Sequence, residues 1–207
     1  MKYSEIRLAG SGGQGLGLAG RILSQAAILN GSEVCLTQSY GPEARGGASR
    51  TDVIISGKPI LFPNCRKLDI LLAMNQESAD KFSGKVKEGG FFVVDSTFVD
   101  QLPEGKVYEY PFTDKSIEVF GQKIVANLMA MGMFAALSRY FKLEIWTDAI
   151  KLAVPKAFLK LNLQAFEMGH REGREILHME EGRIPVTWDR KQPVPKAIRD
   201  KYSRETE

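Results

Sequence analysis

The chain has 207 residues, 43% of them hydrophobic and 26% charged, which suits one globular domain with a proper core. Its net charge of +3 is small and its basic residues are interspersed with acidic ones, so nothing suggests the clustered cationic face of a nucleic-acid binder. Cys35 and Cys65 lie far apart and only His170 and His178 add imidazole, a donor set that excludes an iron–sulfur cluster or a structural zinc site on this chain.

Both cysteines read as reduced, buried thiols rather than nucleophiles. The first residues show no charged-then-apolar leader, and the longest apolar stretch, residues 128–137, is too short to span a bilayer. A cytoplasmic protein without membrane contact is expected.

In chain order, residues 6–9 predict a strand, and residues 10–17 read Gly-Ser-Gly-Gly-Gln-Gly-Leu-Gly. Gly10, Gly12 and Gly15 match the Gly-x-Gly-x-x-Gly spacing. Missing side chains there let a ligand phosphate reach backbone N–H groups at a helix N-terminus. The competing reading is a turn whose glycines only let helix and sheet pack closely. Leu16, Ala19, Leu23, Ala26 and Ala27 then recur at helical spacing, and Asn30-Gly31 stops the helix.

Residues 33–37 predict the second strand, and the three elements together predict a βαβ start. A dinucleotide fold would place an acidic residue at the end of that strand to hold a ribose. Thr37, Gln38 and Ser39 stand there, while Glu33 lies at the wrong end. The expected ligand therefore carries phosphate but is not ordinary NAD.

Residues 38–50 have no apolar period and predict a loop in which Arg45 directly precedes Gly46 and Gly47. A guanidinium beside exposed backbone N–H groups is a second anion site. The bland alternative is a solvated loop in which Glu43 and Arg45 satisfy each other. In an open α/β sheet the loop sits at a strand's carboxyl end, beside the first glycine loop.

Residues 51–56, 69–74, 91–94 and 107–110 predict further strands, two of them continuous apolar runs of the kind buried on both faces. Asn75 either lines the crevice or simply forms a turn, and a short helical stretch runs through Lys81. Residues 123–140 predict a helix that is apolar nearly all round, with Asn127 as the polar exception; its amide either completes the core or points at a ligand. Residues 146–153 and 158–171 predict two more helices, interrupted at Pro155. The expected fold is α/β: an open, mostly parallel Rossmann-like sheet with helices on both faces over residues 1–180. A charged, Pro-containing C-terminal tail, residues 181–207, either stays mobile or wraps a partner.

With both loops in view, the chain resembles the gamma subunit of 2-oxoacid:ferredoxin oxidoreductases. The matching stretches are Gly-Ser-Gly-Gly-Gln-Gly from Gly10, Ser-Tyr-Gly-Pro-Glu-Ala-Arg-Gly-Gly-Ala-Ser from Ser39, residues 69–75, and the helix start at Ala126-Asn127. The resemblance implies a complex that oxidatively decarboxylates a 2-oxoacid, joins the acyl group to coenzyme A and reduces ferredoxin. It implies thiamine diphosphate, Mg and iron–sulfur clusters on partner alpha and beta subunits and a small ferredoxin-like delta subunit, with no catalytic residue on this chain. Coenzyme A would be held in part here: Gly12, Gly13, Gln14 and Gly15 cradle the pyrophosphate, Arg45, Gly46 and Gly47 form the second loop, and Tyr40 and Asn127 assist.

The second loop looks like the 2-oxoglutarate and branched-chain types, which points to 2-oxoglutarate first. The alternatives are a small subunit of a pyruvate, branched-chain or indolepyruvate oxidoreductase, a stand-alone nucleotide-binding enzyme, and a scaffold with an empty crevice.

Overall fold

A computed structural model of the chain describes residues 2–40 and 48–181. Six strands form one sheet: β1 (Ser4–Ser11), β2 (Glu33–Tyr40), β3 (Ala48–Ser56), β4 (Leu68–Ala73), β5 (Val86–Asp95) and β6 (Lys106–Tyr110). Their spatial order is β2-β3-β1-β4-β5-β6. β1, β4, β5 and β6 pair in parallel, whereas β3 is antiparallel to both β1 and β2, so all strands but β3 point one way.

β1, α1 and β2 form the expected βαβ crossover, since β1 and β2 point the same way, but β3 is inserted between the two strands. β3 runs against β2 because the connection from Tyr40 to Ala48 is short: a parallel crossover needs a dozen or more residues, while an antiparallel return needs far fewer. Ser39, Tyr40 and Arg50, read from sequence as loop, are strand residues paired as Tyr40 with Ser49 and Ser39 with Arg50. Polar side chains at a sheet edge hid the pairing from a hydrophobicity reading.

Helices cover both faces. α1 (Leu16–Leu29) lies over β2 and β3, where a Cβ on Gly20 would come within 2.3 Å of the Thr51 side chain. α2 (Gln76–Phe82) lies on the other face, where Ala79 and Phe82 pack with Ala9, Ile54, Leu71, Ala73, Phe92 and Val94. That alternation, Thr51 up and Ile54 down, is the period-2 signature of a strand buried on two sides. On the same lower face Arg7 and Asp52, opposite each other in the β1–β3 register, form a buried bidentate pair with both N–O distances 2.6 Å.

The remaining helices are α3 (Phe112–Phe120), α4 (Ala126–Ser138), α5 (Leu143–Ala153) and α6 (Lys156–Glu181). α3 escaped the sequence reading because it buries Thr113 and Ser116 beside Phe112 and exposes Ile117 and Val119, the reverse of the usual amphipathic pattern. α4 starts later than expected, since residues 123–125 form a 3₁₀ turn, and it ends at Arg139 in the left-handed region with φ 53°. Residues 126–137 are all buried. The chain divides into a unit of residues 1–175 and one of residues 176–207; among the described residues the second holds only the end of α6.

α4 meets α6 backbone to backbone. A Cβ on Gly169 would lie 1.8 Å from the Met129 carbonyl oxygen, and one on Gly132 would lie 2.0 Å from the Phe166 carbonyl oxygen. Beside this contact Trp146 is fully buried among Phe134, Phe141 and Phe166, with ring centroids 6.1, 5.4 and 6.0 Å away. Gly169→Ala must force the helices apart and is expected to cost about 1–3 kcal/mol in urea unfolding, the range for overpacked cores. An unchanged midpoint would show that α4 and α6 are not held at this distance.

Cys65 is buried and donates to the Ile6 carbonyl at 3.8 Å, and loss of hydration pushes its thiol up to about 12. Cys35 is only half-buried. A thiol reagent at pH 8 is expected to label Cys35 quickly and Cys65 only after unfolding. A fast-reacting thiol surviving in Cys35→Ser would contradict that placement.

Candidate functional site

The connection leaving β1 turns toward β2 over one face, and the connection leaving β4 turns toward β5 over the other. The carboxyl ends of β1 and β4 therefore flank a topological switch point, where open α/β sheets form their ligand crevice. The glycine loop of residues 10–15 lies in that position, with Met74 and Asn75 at the end of β4 beside it.

The loop is shaped from its protein side. Gln14 accepts from the Ser11 N–H at 2.6 Å and donates through Nε2 to the Met74 carbonyl at 3.0 Å. Asn75 donates to Ser11 Oγ at 2.7 Å and, as the N-cap of α2, accepts from the Ser78 N–H at 3.0 Å. A Cβ on Gly10 would stand 2.3 Å from Gln14 Oε1 and 3.0 Å from Met74 Cβ, so a side chain there would push Gln14 out of this bracing position.

Its solvent side is open. Gly12 and Gly13 are exposed, Gly13 has φ +91°, and a Cβ there would meet nothing within 4 Å. Gly15, with φ +72°, is the N-cap of α1; no side chain caps the helix and no acidic residue occupies its first turn. The positive end of the α1 dipole is thus left for an external anion.

Asn127, in the first turn of α4, is buried and donates through Nδ2 to the Gly15 carbonyl at 3.0 Å, while its Oδ1 accepts from the Leu128 N–H at 2.8 Å. The side chains of Gln14 and Asn127 thus engage the protein rather than open space. A Cβ on Gly15 would fall 2.3 Å from Asn127 Nδ2, which ties the two residues to one geometry.

Tyr40 ends β2, paired with Ser49, which in turn pairs with Gly10 on β1. The end of β2 and the start of β3 therefore lie at the edge of the sheet that carries the glycine loop. Arg45, Gly46 and Gly47 lie outside the described residues. The sequence reading did not single out Ser11, whose N–H and hydroxyl are the points where the loop is braced; a serine inside a glycine run was its only signal.

Among the described residues no three His, Cys, Asp or Glu side chains come together as a metal site, and no helix is long and apolar enough to cross a membrane. Asp95, fully buried at the end of β5, accepts from the Thr113 hydroxyl at 2.6 Å and the Thr97 N–H at 3.1 Å. Burial holds its carboxyl above the ordinary range.

The family model for pyruvate ferredoxin/flavodoxin oxidoreductase matches residues 5–172. The chain belongs to that family, as a subunit of an oxidoreductase complex. It is 45% identical over 177 residues to the 2-oxoglutarate synthase subunit KorC of Methanocaldococcus jannaschii, covering 83% of this chain and 95% of the relative. The gamma subunit of a keto/oxoacid ferredoxin oxidoreductase from Geobacter sulfurreducens superposes with a TM-score of 0.76 at 41% identity, over 84% of this chain and 97% of that one. The 2-oxoglutarate:ferredoxin oxidoreductase of Magnetococcus marinus, solved with 2-oxoglutarate, coenzyme A and succinyl-CoA bound, matches with a TM-score of 0.74 at 25% identity. There the chain spans 84% of its own length and 32% of the longer polypeptide.

The contact between Gly15 and Asn127 is testable by a double-mutant cycle. Gly15→Ala is expected to destabilise the wild type more than it destabilises an Asn127→Ala background, because removing the amide relieves the clash and leaves only the φ strain. A coupling above about 0.5 kcal/mol in urea unfolding is expected for residues in contact. Strict additivity would mean that the two do not meet.

Proposed function

We propose that the chain is the gamma subunit of a cytoplasmic 2-oxoglutarate:ferredoxin oxidoreductase. The assembly decarboxylates 2-oxoglutarate oxidatively, joins the succinyl group to coenzyme A and passes the electrons to ferredoxin. The observation that carries this reading is the open, uncapped glycine loop at the switch point, in a chain that matches a 2-oxoglutarate synthase subunit over 83% of its length.

In this reading thiamine diphosphate with its Mg and the iron–sulfur clusters reside on alpha, beta and delta partners and supply the decarboxylation and electron transfer. This chain's own residues bind and orient the thiol acceptor. The N–H groups around Gly12, Gly13 and Gly15 take the pyrophosphate of coenzyme A, while Gln14 and Asn127 keep the loop in shape. Arg45, Gly46 and Gly47, with Tyr40 at the end of β2, supply the second anion-binding loop. Residues 1–180 form the ligand-holding domain. The contribution to rate is proximity: a thiol held at the acyl group rather than collected from solution.

The test is steady-state kinetics of the complex reconstituted with its alpha, beta and delta subunits, using 2-oxoglutarate, pyruvate and branched-chain 2-oxoacids. Preference for 2-oxoglutarate is expected. Gly13→Ala, which puts a Cβ on the open side of the loop at a φ of +91°, and, separately, Arg45→Ala, which removes one charge-assisted hydrogen bond, are expected to preserve assembly and raise KM for coenzyme A by roughly 10–100-fold. An unchanged KM in both variants would remove coenzyme A from this crevice.

A further inference from the structure

Residues 57–67 join β3 to β4 at the end of the sheet opposite the glycine loop, about 23 Å away along the eight-residue β1. They carry Leu61, 93% exposed, and Phe62, 44% exposed, and Tyr3, 46% exposed, stands close by at the entry to β1. Two large apolar side chains at such exposure are unfavourable in water unless something covers them.

The segment is anchored along its length. The Lys58 N–H donates to Ser56 Oγ at 3.0 Å, and Cys65 is buried. One oxygen of the buried Glu5 carboxylate accepts from the N–H groups of Arg66 and Lys67 at 2.5 and 2.9 Å. Its other oxygen accepts from the Tyr3 hydroxyl at 3.3 Å. The Arg66 guanidinium lies 4.0 Å over the Phe62 ring. Tyr3, Phe62 and Arg66 thus form one surface held in place before any partner arrives, and ordering it costs little on binding.

Its chemistry is one-sided. Residues 57–67 contain Lys58, Arg66 and Lys67 and no Asp or Glu. Aromatic residues and Arg around an apolar centre are the composition of interface hot spots.

We propose that residues 57–67 with Tyr3 dock this chain onto a partner subunit whose matching face is an apolar socket for Leu61 and Phe62 rimmed by carboxylates. The inference rests on the reading of the chain as one subunit of the oxidoreductase. Docking at this end leaves the glycine loop free to admit its ligand.

The experiment uses the full chain co-expressed with its alpha, beta and delta subunits, with assembly followed by light scattering after gel filtration at 50 and 500 mM NaCl. Leu61→Asp/Phe62→Asp is expected to elute alone with a native circular dichroism spectrum. Lys58→Glu/Lys67→Glu, which leaves the apolar centre intact, is expected to weaken assembly at least tenfold at low salt, with a smaller deficit at high salt. Wild-type assembly by both variants would overturn the proposal while leaving the subunit reading intact. So would normal assembly accompanied by loss of binding to vesicles of phosphatidylcholine and phosphatidylserine, which would make the patch a lipid contact. Failure of the wild-type chain itself to join these subunits would overturn both readings.

Discussion

The buried ion pair between Arg7 and Asp52 sets the relation on which the crevice depends. β1 and β3 are antiparallel neighbours, and the two residues face each other in register with both N–O distances at 2.6 Å. A slip of one residue would move the carboxylate to the opposite face and leave the guanidinium, 2% exposed, without its counter-ion. Breaking such a buried pair costs about 3–5 kcal/mol, so the register is specified far more sharply than alternating aliphatic residues alone would specify it. The Phe82 ring packs against the guanidinium, 4.5 Å from Arg7 Cζ, and Nη1 has no hydrogen-bond partner. With that register in place, Gly10 stands opposite Ser49 and Ser11 opposite Ala48, so β3 starts beside the glycine loop.

The loop itself shows how a site can be rigid toward the protein and open toward a ligand. Gln14, Asn75 and Asn127 each use side-chain amides on backbone or hydroxyl groups of the fold, and each comes from a different element: the loop, the end of β4 and the start of α4. Gly12 and Gly13 contribute nothing to that bracing and remain exposed. Backbone donors fixed in advance bind an anion without reorganising, which favours both affinity and orientation. The docking surface proposed at the opposite end of β1 separates assembly from ligand entry by the length of the sheet.

Much of the site was legible because its signals are local. The glycine spacing, the apolar run of residues 16–27 and the missing acid after β2 are properties of neighbouring residues, and they sufficed to argue for an anion cradle on an α/β sheet. What failed to show were features that depend on distant partners. The antiparallel insertion of β3 follows from pairing between residues distant in the chain, such as Ser4 with Ile55, and α3 hides Thr113 because Asp95 on β5 accepts from its hydroxyl. Asn127 stood out in sequence only as a polar residue in an apolar helix, and the two uses considered for it were core and ligand. Its target is the carbonyl of Gly15, 112 positions away.

The sequence by itself determined the fold class, the position of the glycine loop and the family resemblance, since strand and helix periods and glycine spacing are written into adjacent residues. Only the tertiary structure decided the strand order, the bracing of the loop by Ser11, Gln14, Asn75 and Asn127, and the anchoring of the Arg66 and Lys67 backbone on the Glu5 carboxylate. Those arrangements join groups through buried hydrogen bonds and one buried ion pair, and their partners are chosen by packing in three dimensions rather than by spacing along the chain.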